Sequence, residues 1–415
     1  MNRRDFIRTS LAGAALAALP RNLWAADPAP AKRPNIIFIL TDDLGYDLLS
    51  CYGSDQFKTP NIDALATGGT RFRYCHTSPV CGPSRCQLMT GQYPFRSSHV
   101  ENGGRVASID PTGLPSVARV LKGAGYVTAL CGKWHMSRKP QDWGFDEVGV
   151  QGGGHPQGYW SKQGDKTVFK PDLMHDWAVG FIQRNSARPF FLKYSMHLPH
   201  AELSYTPDSA PETVAQLSDP KTRKAAGRTI MVDNIAYMDK LVGKLMAELE
   251  RLKLRDNTLV IFAGDNGTGG SWPIGGRRLA GAKRGLGDGG ATVPMIACWP
   301  GTTPAGKVCD DLVGFEDFLP TFADVAGAPL PKDKTIDGVS FASQLRGQKG
   351  TPRETIFTQY RDQWFVRDQR RKLYNDGRLV EPAITRSRRR NCPPPLSRNC
   401  GASSRRSRMI WAWTR

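Results

Sequence analysis

None of the nine cysteines in this 415-residue chain stands in a Cys-x-x-Cys pair, and their spacing is irregular. That pattern argues against a disulfide framework and against a thiolate zinc site. Cys51, Cys131 and Cys298 read as small buried residues. Histidine is scarce, at 7 residues, and acidic residues are outnumbered, 38 against 57 basic. The apolar run from Leu11 to Pro20 is too short to cross a bilayer, so no stable membrane anchor is expected. The net charge of +19 (57 − 38) invites a nucleic-acid reading, but its distribution weakens it. Residues 379–415 hold nine Arg and one Glu, which leaves +11 (19 − 8) for the other 378 residues. That body is basic enough to steer an anionic substrate, and no nucleic-acid module is visible in it.

The N-terminus does carry a recognisable signal. Arg3-Arg4-Asp5-Phe6 precedes the mild apolar run, and small residues follow at Ala25 and Ala26. A basic start, a short apolar stretch and a small-residue site make a signal peptide over 1–26. The adjacent arginines with Phe6 resemble the twin-arginine type, which implies the twin-arginine export machinery as a partner and a periplasmic or extracellular location.

Beyond it, apolar β-rich runs alternate with helical patterns. Strands are expected at Ile36–Leu40, Tyr126–Cys131, Pro189–Ser195, Leu259–Ala263 and Pro294–Trp299. They are short and almost continuously apolar, as strands buried on both faces should be. Helical patterns fall at Asn61–Thr67, Leu114–Lys122 and His175–Gln183, with the clearest at Thr229–Leu254. There Met231, Ile235, Met238, Val242, Leu245, Leu249 and Leu252 alternate steps of four and three, one face laid on a core. The expected fold is therefore α/β, with a mainly parallel central sheet flanked by helices over 27–345. Short strands at Ile356–Tyr360, Trp364–Arg367 and Lys372–Tyr374 predict a small, incomplete antiparallel sheet over 346–378.

In such sheets ligands bind beyond the carboxyl ends of the strands. Asp42 and Asp43 follow the first strand, Lys133 and His135 the second, His197 and His200 the third, Asp265 and Asn266 the fourth. One polar strand end means little; four on one rim, with so few histidines available, point to a site. The acids and the amide offer hard oxygen, which favours Ca2+ or Mg2+ over zinc. After Asn266 comes a long loop, with eleven Gly among residues 264–290, that carries Lys283 and ends in Asp288-Gly289-Gly290. Loops of that length in compact domains tend to be functional or disordered.

The most informative stretch is Cys81-Gly82-Pro83-Ser84-Arg85, leading to Leu88-Met89-Thr90-Gly91. With Asn35–Asp43, Gly132-Lys133-Trp134-His135, Pro199-His200, Gly264-Asp265-Asn266-Gly267, Lys283 with Gly289-Gly290, and Asp337-Gly338, it resembles the type I, formylglycine-dependent sulfatases of the alkaline-phosphatase-like superfamily. The resemblance runs from about Pro34 to Gly338. It implies a formylglycine made from Cys81 by a formylglycine-generating enzyme, and a cation held by Asp42, Asp43, Asp265, Asn266 and the modified Cys81. It further implies that Arg85 and Lys133 stabilise the oxyanion, and that His135 accepts a proton. His200 and Lys283 would bind sulfate and protonate the leaving oxygen, and His197 is a further candidate for substrate contact. Asp288 stands where the family usually has Glu, and Thr292 near a position where many members have Arg.

The implied activity is hydrolysis of a sulfate ester, on a sulfated small molecule or glycan. Two other readings stay open: a phosphodiesterase or phosphonate monoester hydrolase of the same superfamily, and an inactive sulfated-glycan-binding protein. From about Leu379 an Arg-, Ser- and Pro-rich run replaces the strand and turn that such enzymes usually carry. Residues 379–415 therefore read either as a translation out of frame or as a basic tail.

Overall fold

Asn35–Thr41 is a strand (β1) with every residue buried, and its alternation defines the layers. Ile36, Phe38 and Leu40 belong to one apolar cluster, Ile37 and Ile39 to another. Successive strand residues point to opposite faces, so β1 has a core on each side of it. The computed structural model describes residues 33–382, apart from 104–108, 153–157, 202 and 220. Two compact units divide the chain, Met1–Arg33 and Pro34–Arg415. The expected signal peptide and the tail from residue 383 lie outside the described residues.

The further strands of the main sheet are β2 (Thr70–His76), β3 (Val127–Gly132), β4 (Glu147–Val148), β7 (Phe190–Ser195), β8 (Thr258–Gly264), β9 (Thr292–Cys298) and β10 (Lys307–Gly314), with a separate hairpin, β5 (Trp160–Gln163) and β6 (Lys166–Phe169), between β4 and β7. The sheet order is β10-β2-β9-β8-β1-β7-β3-β4. β9 is antiparallel to both neighbours, and every other pairing is parallel. All strands but β9 therefore point the same way and release their carboxyl ends onto one rim. The antiparallel course of β9 is a departure inside an otherwise parallel sheet.

The longer helices are α1 (Pro60–Gly68), α2 (Cys81–Thr90), α3 (Val117–Gly123), α4 (Lys170–Arg184), α5 (Pro211–Ser218), α6 (Arg223–Arg251) and α7 (Phe318–Ala326). Residues of α2, α3 and α7 join the Phe38 cluster, and residues of α1, α4 and α6 the Ile37 cluster. In α6, Ile235, Met238, Val242, Leu245 and Leu249 are buried, with Met231, and Leu252 just past the helix end, partly buried beside them. Gly132 ends β3 with φ of 94°, and a Cβ there would lie 1.9 Å from the Ser195 carbonyl oxygen. Only glycine lets the chain turn that tightly out of the sheet.

A second, antiparallel sheet joins β11 (Ile356–Tyr360), β12 (Gln363–Arg367), β13 (Lys372–Tyr374) and β14 (Leu379–Val380) in that order. Pairing thus extends through the last of these, the two residues at which an incomplete sheet was expected to have stopped. Among the described residues no helix is long and apolar enough to cross a membrane.

Candidate active site

β1 and β8 are parallel and paired through Thr41 and Gly264, so the residues that follow them emerge side by side. Asp42, Asp43 and Asp265 are all buried. Three ionised carboxylates crowded out of water repel one another unless opposite charges or hydrogen bonds hold them. Here cations do so. Lys133 Nζ lies 2.5 Å from Asp42 Oδ2, and Lys283 Nζ lies 2.7 Å from Asp43 Oδ1. Arg85 donates from Nε and Nη2 to Asp265 Oδ2 at 3.0 and 2.7 Å, and from Nη1 to the Lys133 carbonyl at 2.8 Å. Burial works against ionising Asp42, but Lys133 and Arg85 outweigh it and hold its carboxyl well below the usual carboxylate range. Asp265 goes the other way: burial and then the charge of Asp42 push it up. Asp43 adopts a left-handed φ of 59°, uncommon for a residue with a Cβ and often found at functional sites.

Cys81 is the first residue of α2, which begins a few residues beyond β2. Its Sγ donates toward Asp42 Oδ1 at 3.3 Å and Asp43 Oδ1 at 3.8 Å. Burial, then the carboxylates of Asp265 and Asp42, push this thiol well above its ordinary pKa. The thiolate is the reactive form of cysteine, so the unmodified side chain is a poor nucleophile in this setting. Gly82 donates its N–H to Asn102 Oδ1 at 2.8 Å, and a Cβ on it would come 2.7 Å from His99 Nε2. The position must be small because His99 fills the space beside it.

The turn after β7 brings two histidines. His197 Nδ1 is 3.5 Å from Asp42 Oδ2, and His200 Nε2 is 3.7 Å from Asp43 Oδ2 and 3.2 Å from Lys283 Nζ. The Tyr159 hydroxyl lies 3.1 and 2.8 Å from the carbonyls of His197 and His200 and braces the turn. Burial lowers the pKa of His200 and takes that of His197 down to about 3. His135 stands at the rim as an exposed residue. Protein packed around its ring, and then the charges of Lys133 and Arg85, hold its pKa low as well.

Asp42, Asp43, Cys81 and His200 each offer a donor atom within 4.8 Å of the others, a group that could hold a metal ion. Asp265, expected as a ligand, lies outside this group: its Oδ1 accepts the Asp43 N–H at 3.1 Å while Arg85 takes Oδ2. Asn266 donates from Nδ2 to Asp43 Oδ1 at 2.8 Å, and its Oδ1 is buried without a hydrogen-bond partner. A buried oxygen left without a donor, next to carboxylates, fits a hard divalent cation better than it fits a site complete in itself.

A family model described as "Sulfatase" matches residues 34–328, and one for the twin-arginine translocation pathway signal sequence matches residues 1–20. Arylsulfatase A of Homo sapiens is 33% identical over 397 residues, covering 81% of this chain and 73% of that protein. N-acetylgalactosamine-6-sulfatase of Canis lupus familiaris is 31% identical, covering 80% and 69%.

The chain belongs to the sulfatase family.

It is a sulfuric ester hydrolase with an export signal. Among solved structures, i-CgsB in complex with a neocarrahexaose matches this sulfatase with a TM-score of 0.72 and 28% identity, covering 92% of this chain and 93% of that one. The PsFucS1 sulfatase from Pseudoalteromonas sp. matches with a TM-score of 0.69 and 26% identity, covering 83% and 78%. Of the residues singled out from the sequence, Cys81, Arg85, Lys133, His200 and Lys283 converge on the three carboxylates, and His135 sits at the rim of the same group. Sequence reasoning passed over His99, Asn102 and Tyr159. His99 is fully buried, with both ring nitrogens unpartnered. It follows α2 and not a strand, so a search of strand ends could not find it. A signal was present, though: a histidine and an asparagine within about twenty residues of Cys81 in a chain poor in histidine.

Proposed function

We propose that this sulfatase removes sulfate from a sulfated carbohydrate, with aryl sulfates as surrogates, after a formylglycine-generating enzyme has converted Cys81. The observation that carries the proposal is the Cys81 thiol, held protonated against Asp42 and Asp43 and ringed by Arg85, Lys133 and Lys283. That ring of positive charge suits a sulfate ester. Ca2+ or Mg2+ held by Asp42, Asp43, Asp265, Asn266 and the side chain at 81 would supply Lewis acidity toward oxygen. The hydrated aldehyde would supply one hydroxyl as the oxygen nucleophile and a second whose loss of a proton would later expel sulfate from the same carbon and restore the aldehyde.

The chain's own residues do the remaining work. Arg85 is fixed by Asp265 and by the Lys133 carbonyl, so its charge is in place before substrate arrives and needs no reorganisation. Lys133, partnered by Asp42, orients the side chain at 81. Lys283 and His200 are in hydrogen-bond contact. Low basicity keeps the imidazole neutral, so Lys283 holds the proton and the pair can bind sulfate oxygen and protonate the leaving alkoxide oxygen. His135, neutral and open to solvent, is placed to take the second proton and pass it to water.

The proposal is checked by mass spectrometry of the peptide spanning residue 81, with 4-nitrophenyl sulfate turnover followed in parallel. Loss of the thiol mass should accompany activity, and Cys81→Ser should lower kcat by at least about a thousandfold. An intact thiol in fully active enzyme would end the reading. Faster turnover of a phosphodiester analogue than of the sulfate would move the assignment to the phosphodiesterase class.

A further inference from the structure

The Gly-rich segment between β8 and β9 carries Lys283 and is gripped from the small sheet. Leu286 and Ala291 pack on Phe365 of β12, with Tyr360 and Tyr374 against them. Lys372 of β13 is 1% exposed. Its ammonium donates to the Leu286 carbonyl at 2.8 Å and to Asp288 Oδ1 at 3.1 Å, and it stands 4.0 Å from the centre of the Phe365 ring. Arg367 of β12, also buried, lies 3.3 Å from His76 Nε2, and His76 Nδ1 in turn faces Thr292 Oγ1 at 3.4 Å. Lys372 therefore holds the start of the short helix Asp288–Ala291 directly, and Arg367 reaches Thr292, just past its end, through His76.

At its other end the same segment is tied into the site. Lys283 donates its N–H to the Thr268 carbonyl at 2.9 Å, and Arg284 donates to the Pro79 carbonyl at 2.7 Å, two residues before Cys81. Gly267, next to Asn266, donates to the Gly290 carbonyl at 2.9 Å. Leu286 is only three residues from Lys283, a reach of about 10 Å at most, so a shift at Leu286 displaces the Lys283 backbone. A buried ammonium is costly to keep, and an apolar side chain could fill the same volume. What the lysine adds is a two-point hold on the segment.

We propose that Lys372 is a positioning residue for the reaction: through Leu286 and Asp288 the small sheet holds Lys283 at the sulfate position. The proposal rests on the reading of Lys283 as a sulfate-binding residue, and one experiment separates the two. Lys283→Ala, Lys372→Met and the double variant Lys372→Met with Asp288→Asn are compared well below their unfolding temperatures. The readouts are KM and kcat for 4-nitrophenyl sulfate, and the dissociation constant of inorganic sulfate from its protection against thermal unfolding. Lys283→Ala should weaken sulfate binding at least tenfold. Lys372→Met should weaken it roughly tenfold and raise KM in step. The double variant, in which the buried carboxylate that loses its Lys372 ion pair is also removed, should regain Tm without regaining sulfate affinity. Sulfate affinity within twofold of the parent in both Lys372 variants, alongside a weakened Lys283→Ala, overturns the positioning role and spares the reading of Lys283. Unchanged affinity in Lys283→Ala overturns that reading itself. Should Lys372→Met fail to fold, the double variant poses the same question.

Discussion

Asn266 shows at the smallest scale how this site anticipates a ligand. Its amide donates to Asp43 while its Oδ1 is buried and unpartnered, an arrangement that costs about 1–3 kcal/mol when nothing binds there. Chelation should therefore abolish turnover and lower Tm, and added Ca2+ should restore both. Asn266→Ala should need about tenfold more metal for half-maximal activity, measured by titrating the chelated enzyme. Glu316 is a different case, a buried acid behind the helix that carries Cys81. Asp317 takes the guanidinium of Arg353 together with the N–H groups of Gly314 and Val339. Glu316 is left with the Gln87 amide and an Arg353 nitrogen at 3.4 Å. Burial, with Asp317 adding to it against Arg353, raises its pKa. The neutral acid is thus the form the fold prefers. Its contribution is complete below about pH 4.5 and fades as pH climbs toward the raised folded value. Thermal melts between pH 5 and 8 should show stability falling by up to about 1 kcal/mol per pH unit from this group, and Glu316→Gln should flatten that slope. A parallel slope in the variant would refute it. The strand-end residues of the site were readable in advance because a parallel sheet forces each one onto the same rim. Glu316 and Tyr159 were not, because their meaning depends on neighbours distant in sequence.

At the scale of elements, legibility followed burial. β1, β3, β7 and β8 were readable because both faces are covered, which leaves near-continuous apolar runs. β2 and β10 were missed for the opposite reason. Arg71 and Arg73 alternate along β2, and Asp310 and Asp311 interrupt β10, with Arg73 paired to Asp310 at 2.6 Å. Strands toward the edge keep a polar face, and a search for unbroken apolar runs passes over them. α7 escaped because it is short and nearly every residue in it is buried, and a short apolar run does not by itself separate a helix from a buried strand. The reversed direction of β9 had no signal at all, since strand sequence does not encode the sense of pairing. α6 gave the strongest period and carries no chemistry. Leu245→Ala in its buried stripe should accordingly cost about 2–5 kcal/mol in chemical denaturation. KM for an aryl sulfate should be unchanged at temperatures where the variant is folded. A raised KM there would mean that the helix reaches the site.

For the whole molecule, the order of events follows from where the reactive side chain lies. Cys81 is fully buried among ion pairs contributed by three strand ends, by Arg85 of its own helix and by the Gly-rich segment. On the proposed conversion of Cys81, a modifying enzyme could not reach it once those elements had closed over it, so conversion would belong before or during folding. The finished fold would then be the natural cargo for export. A signal that carries folded proteins meets this requirement, and residues 1–20 match one. Replacing Arg3 and Arg4 together by Lys should leave active, fully converted enzyme inside the cell, with less than about a tenth of the parent's activity appearing beyond the inner membrane. Fractionated cells assayed with an aryl sulfate, together with the mass of the residue-81 peptide in each fraction, give the answer. Undiminished export of converted enzyme by the double-lysine variant would show that the chain crosses by another route. Unconverted thiol confined to the retained fraction would place the oxidation after transport and reverse the order argued from burial.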